Sequence, residues 1–201
     1  TACGGRLRRP TSCGPVPTAT FGWIPVDAPE DSVQVGSVFD AEGDLPTCDA
    51  TSYAASRISI DEAVEIAGLA AWVTAPQGGD AQTVFLQLYE GSAQGPAALL
   101  RCATVPIPEG WAGPLQVTVE PVALQPGHYY LAVGASGDIN LGAKESWPEP
   151  DHLSVMMEAG PGEASCQACM SPDAFQAIET TTTHEYAAWL VGIPREVSLP
   201  L

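Results

Sequence analysis

Thr83-Val-Phe-Leu-Gln-Leu-Tyr-Glu90 is the stretch on which the fold turns. Val84, Leu86 and Leu88 fall on one side of an extended chain and Thr83, Phe85, Gln87 and Tyr89 on the other, because successive strand side chains point to opposite faces. The same period of two recurs in Leu115, Val117 and Val119, with Gln116 and Thr118 between them. It recurs again in Tyr129, Leu131 and Val133, with His128, Tyr130 and Ala132 behind. Strands with one apolar face need a second sheet to bury it. The chain is therefore expected to be all-β, a two-sheet antiparallel sandwich.

Outward from that stretch, short β-type runs alternate with turn residues along the chain. Weak candidates lie at 19–26 and 33–39. Stronger ones lie at 53–60, 64–74, 83–90, 97–105, 115–123, 128–135, 153–158 and 186–193. Turns are expected at Gln-Gly-Gly-Asp 77–80, Glu-Gly-Ser 90–92, Pro-Glu-Gly 108–110 and Gln-Pro-Gly 125–127, since proline presets the first turn dihedral and glycine accepts positive φ. Residues 60–72 also carry helix-like spacing at Ile60, Val64, Ala67 and Ala71. The Val-Glu-Ile alternation and the interrupting glycine favour a strand there. Three zones follow: an extended arm at 1–18, an acidic loop-rich connector with weak strands at 19–50, and the sandwich at 51–201.

From Ala54 to Val133 the order of elements carries a resemblance. Ile58-Ser-Ile60 ends one strand and Trp72-Val73 closes the next. Phe85-Leu-Gln-Leu-Tyr-Glu-Gly91 then leads to a Gly-Pro turn and Leu99-Leu100, and Leu124-Gln-Pro-Gly-His-Tyr-Tyr-Leu-Ala-Val133 follows. This framework resembles the jelly-roll-type β-sandwich modules of bacteriophage tail-fibre and capsid-accessory proteins, and of some secreted bacterial adhesion or carbohydrate-binding modules. The likeness implies a jelly-roll-like sandwich. It consists of scaffold positions and leaves the cysteine-bearing arm and loop outside it.

Charge is the most informative functional feature. Seven Lys+Arg against 24 Asp+Glu give a net charge of −17 in 201 residues, which disfavours nucleic acid and anionic lipid as partners. No run reaches the roughly 18–20 apolar residues of a membrane span, and the start at Thr1 does not read as a secretory signal. Arg6, Arg8 and Arg9 precede the first acid, Asp27, so a cationic tip is joined to an anionic body. The expected role of these arginines is an assembly arm laid across an acidic neighbouring subunit, where guanidinium groups hold carboxylates in pairs. An arm folded back on its own body and a solvated tail are the alternatives.

The six cysteines suggest an oxidising environment. Cys3, Cys13, Cys166 and Cys169 are the disulfide candidates; closing Cys3 to Cys13 would stiffen the arm by about 2–3 kcal/mol. Cys102, inside an apolar run, reads best as a buried thiol. Zinc at Cys166-Gln-Ala-Cys169 would need two further ligands from afar, and a redox pair would need a βαβ context that is missing. Asp40, Glu42 and Asp44 place oxygens at alternate positions as calcium loops do, but without the glycine and glutamate of an EF-hand. A solvated acidic turn is the preferred reading, and no cofactor is expected.

His128, His152 and His184 sit in separate elements without a nucleophile motif, so the chain is not expected to be an enzyme. Trp111 and Trp147, in turn-rich segments, are candidates for stacking on a sugar, although packing over a sheet edge is the better expectation. Trp23, Trp72 and Trp189, within apolar runs, are expected in the core. The expected function is a virion structural protein, a capsid decoration subunit or tail-fibre component, forming homo-oligomers with neighbouring copies. The alternative is a secreted carbohydrate-binding or adhesion module binding a cell-surface glycan.

Overall fold

The computed structural model describes residues 33–36, 47–48, 52–77, 81–92, 95–145, 154–158, 176–181 and 184–193. Every regular element among them is a strand, and all paired strands are antiparallel. They are β1 (Val33–Gly36), β2 (Thr47–Cys48), β3 (Ser52–Ile60), β4 (Val64–Thr74), β5 (Gln82–Ser92), β6 (Gly95–Ile107) and β7 (Ala112–Leu124). Then come β8 (Gly127–Ala135), β9 (Ile139–Leu141), β10 (Ala143–Glu145), β11 (Ser154–Glu158), β12 (Gln176–Thr181), β13 (His184–Tyr186) and β14 (Ala188–Ile193).

One sheet runs β12-β11-β3-β8-β5-β6. In the other, β4 is flanked by β7 on one side and by β14 and then β1 on the other, while β9 pairs with its last residues and carries β2. A small β10-β13 ribbon completes the set. The two sheets pack face to face, as the alternation requires. Ile58, Val84, Leu86, Leu88, Leu131 and Val133 from the first meet Leu69, Val73, Leu115, Val117 and Leu190 from the second in one continuous core. Each fully buried aliphatic side chain contributes about 1.5–3 kcal/mol. Residues 64–72 belong to β4: the glycine-interrupted alternation wins over the helix-like spacing because both edges of this strand are hydrogen-bonded to neighbours, β14 and β7.

Two expectations about local structure are corrected. Glu90-Gly91-Ser92 is not a turn: β5 keeps pairing with β6 through Ser92↔Gly95, and the glycine instead accommodates a break in register after Tyr89. The other correction concerns β5 and β8, which were expected to bury one face each. Phe85, Gln87 and Tyr89 on β5, and Tyr130 and Ala132 on β8, are buried as deeply as the core side chains behind them. By contrast β7 alternates as expected, with Leu115, Val117 and Val119 buried, Gln116 half-buried and Thr118 exposed.

Between the sheets, Arg101 of β6 makes a polar link. β7 bulges where it passes Ile66 to Gly68 of β4, and Pro121 lies in that bulge. The carbonyls of Glu120 and Pro121 accept hydrogen bonds from Arg101 Nε (2.7 Å) and Nη2 (2.9 Å), and Nη1 bonds the Leu100 carbonyl at 2.6 Å. A guanidinium with several donors in one plane suits this task, since two of the carbonyls belong to adjacent residues.

Candidate functional site

The outer face of the β3-β8-β5 region, turned away from the inter-sheet core, is ordered in rows by strand register. Tyr53 shares a row with Gly134 and Phe85, Ala55 with Ala132 and Gln87, Arg57 with Tyr130 and Tyr89, and Ser59 with His128. The Tyr53 ring lies across Gly134 so closely that a Cβ at that position would run into it. Tyr89 donates its hydroxyl hydrogen to Gln87 Oε1 at 2.8 Å in a buried contact. Burial pushes the Tyr53 and Tyr89 hydroxyls well above the ordinary tyrosine range, and Tyr89 is raised further by its neighbour Tyr53. Both stay protonated at neutral pH. Tyr53 Oη and Gln87 Nε2 are buried without a hydrogen-bond partner, a cost the packing of this layer must offset.

At the solvent end of the same face the chemistry changes. Arg57 hydrogen-bonds the Tyr130 hydroxyl, and its charge partly offsets the upward push that burial exerts on that group. In the next row, Ser59 Oγ and His128 Nδ1 are 3.1 Å apart, and both side chains are exposed. The four residues form a square on two adjacent strands. Its geometry is fixed from two sides. Gly91 of β5 approaches the His128 backbone so closely that any larger residue would displace it. The Tyr129 hydroxyl donates to the Gln125 carbonyl (2.9 Å) and accepts from the Gln125 N–H (3.2 Å), locking the turn from which His128 departs.

Sequence reasoning left His128 isolated, because its partner lies 69 residues away. Only the β3-β8 register brings the two together, and no spacing in the chain announces that register. Among the described residues no carboxylate hydrogen-bonds His128. Among the described residues, then, the Ser59-His128 pair has no orienting acid of the kind a hydrolytic triad uses.

Elsewhere the described tryptophans, Trp72, Trp111 and Trp189, are engaged in packing. Trp111 is half-buried against the inter-sheet core. Its indole N–H donates to the Gly113 carbonyl at 3.4 Å, and its own carbonyl accepts the Ala75 N–H at 2.8 Å. That holds the β6-β7 connection onto the end of β4. Trp189 is buried, but with Ala70, Ala187 and Val191 on the outer face of the sheet that holds β4 and β14, where the half-buried Trp72 packs against it. In register, Trp189, Ala70 and Gln116 form one row; Trp189 Nε1 and Gln116 Oε1 are both buried without partners.

Cys102 is disulfide-bonded, so the reading of a free buried thiol is corrected. Its neighbours Ala103 and Val105 show why the run looked like core: those two do enter it, while Cys102 shares a row with Gln87 on the outer face. Arg6, Arg8, Arg9, Trp23, Trp147, Cys3, Cys13, Cys166, Cys169, His152 and the acidic turn Asp40, Glu42 and Asp44 lie outside the described residues, as do the side chains of Cys48 and His184. Among the described residues no group of three or more His, Cys, Asp or Glu side chains could hold a metal ion, and no helix is long and apolar enough to cross a membrane. No family model and no curated protein sequence matches the chain.

Proposed function

We propose that this chain is a non-catalytic structural module of a virion, a capsid decoration subunit or tail-fibre component, working through contacts between rigid surfaces and forming homo-oligomers. The observation that carries this reading is the two-sided burial of β5 and β8. A sheet packed on both faces at its centre is a stiff body suited to passing load and presenting contacts. The disulfide at Cys102 fits a protein that ends in an oxidising environment. The charge contrast between the arginine-bearing arm and the acidic remainder supplies an attraction between copies.

Light scattering after size exclusion tests it. The unaltered chain is expected to elute at about 0.05 M salt as a closed oligomer that weakens as screening grows. Reversing the charge of Arg6, Arg8 and Arg9 to Glu is expected to give monomers. Monomers from both chains would overturn the reading. The second reading, a secreted adhesion or carbohydrate-binding module, draws its support from the exposed Ser59-His128 pair, held on a fixed scaffold.

A further inference from the structure

We propose that the Cys102 disulfide is a redox-sensitive lock on the outer face of the β3-β8-β5-β6 region, keeping Gln87, Tyr89 and Tyr53 from water while it is closed. This goes beyond the assembly reading and does not depend on it. Three observations carry it.

The first is position. Ala55, Ala132, Gln87 and Cys102 form one row across β3, β8, β5 and β6, on the face turned away from the inter-sheet core. Cys102 is disulfide-bonded. A disulfide joins Cα atoms no more than about 7 Å apart, and adjacent strands lie about 4.8 Å apart. The backbone that carries the partner cysteine is therefore held against the outer face beside Gln87. Cys48 is not that partner, because β2 belongs to the opposing sheet and Cys102 is turned away from it.

The second is burial. The outer face of an antiparallel sheet commonly meets water. Here Tyr53, Ala55, Gln87, Tyr89 and Ala132 are as inaccessible as the aliphatic core. Side chains as short as those of Ala55 and Ala132 cannot screen their longer neighbours, so this burial depends on what is held over the row.

The third is the chemistry of the layer. Tyr53 Oη and Gln87 Nε2 are buried without hydrogen-bond partners. Water would supply those partners on opening, so these groups gain by exposure where aliphatic side chains lose. A covalent bond at the end of the row opposes that gain.

Cys102 is half-buried, within reach of an exchanging thiol. When a dithiol reductant attacks, the S–S bond breaks and both cysteines end as thiols. The two electrons and two protons come from the dithiol, which closes into its own disulfide. The lock is thus closed in oxidising surroundings and open in reducing ones.

Nuclear magnetic resonance of the full chain, before and after treatment with dithiothreitol, tests the lock. The Gln87 Nε2 hydrogens are expected to exchange with solvent at least about tenfold faster in the reduced chain. The backbone amides of Leu69 and Val73, in the opposing sheet, are expected to change by less than about threefold. Cys102→Ser, which removes this bond and leaves the other cysteines in place, should reproduce the reduced behaviour of Gln87.

Equal acceleration at Gln87, Leu69 and Val73 would show an ordinary staple on the whole fold and overturn the lock, as would unchanged exchange at Gln87. Peptide mapping of the oxidised chain by mass spectrometry is expected to join Cys102 to Cys3, Cys13, Cys166 or Cys169. A link to Cys48 would contradict the outer-face placement and overturn the proposal as well.

Discussion

β7 and β8 are joined by a two-residue turn and are both amphipathic by pattern, yet they end in opposite situations. β7 has β4 on one side and no described strand on the other, and its outward residues Gln116, Thr118 and Glu120 are half-buried or exposed. β8 lies between β3 and β5, and its outward residues Tyr130, Ala132 and Gly134 are buried. The teaching is in the small residues. Ala132 and Gly134 leave room for the rings of neighbouring strands to lie flat over the sheet, so Tyr53 fills space that a Cβ would deny it. A flank strand instead meets water with polar side chains, and its bulge is closed by Arg101.

Substitutions can break that contrast, the largest effect first. Leu131→Ala, on the core face of β8, is expected to cost about 3–5 kcal/mol in urea unfolding. Gly134→Ala, on the outer face of the same strand, is expected to cost about 2–3 kcal/mol because the Tyr53 ring must move. A loss below about 0.5 kcal/mol there would show that the outer layer packs loosely. At the flank, Arg101→Ala is expected to cost about 0.5–1.5 kcal/mol, because the bulge carbonyls it holds are exposed and water takes the donor's place. Thermal melts of this variant and of Thr118→Val, expected within about 0.5 kcal/mol of the parent, separate the clamp from general surface tolerance.

The buried tyrosines sharpen the comparison through pH. Tyrosine is neutral when protonated, so a raised native pKa means that the folded chain keeps protons which the unfolded chain releases above about pH 10. Their contribution is fully present below that pH and is lost as pH rises through it. The expected slope is about 1.4 kcal/mol per pH unit for each of Tyr53 and Tyr89. Unfolding midpoints between about pH 9 and 11, with Tyr89→Phe expected to remove the Tyr89 share of the slope, measure it. Smallest of all is Tyr53→Phe at neutral pH. Removing a buried hydroxyl that has no partner is expected to leave stability unchanged or raise it by up to about 1 kcal/mol. A loss larger than that would reveal a partner for the hydroxyl in solution.

Much of the fold was legible because it follows from a period of two. Val84, Leu86 and Leu88 had to share a face, and so did Leu115, Val117 and Val119; two such faces cannot both be buried without two sheets. The turns at 108–110 and 125–127 were legible because proline and glycine leave the backbone few alternatives. The strands of two or three residues, β2, β9, β10 and β13, were not, since elements that short carry no periodicity of their own. Nor was the Ser59-His128 pair. Nothing in either segment favours the other, and the contact exists because Ile60 opposes Gly127 in register and the row follows from there.

The sequence by itself determined that this chain forms antiparallel strands with one obligatory core face, because side-chain alternation is a local, covalent property of extended backbone. Tertiary structure alone decided which strands are central and which lie at the flank. It thereby decided whether a residue such as Tyr130 or Thr118 meets protein or water. Strand order is set by contacts between residues tens of positions apart, and a linear pattern holds no record of them.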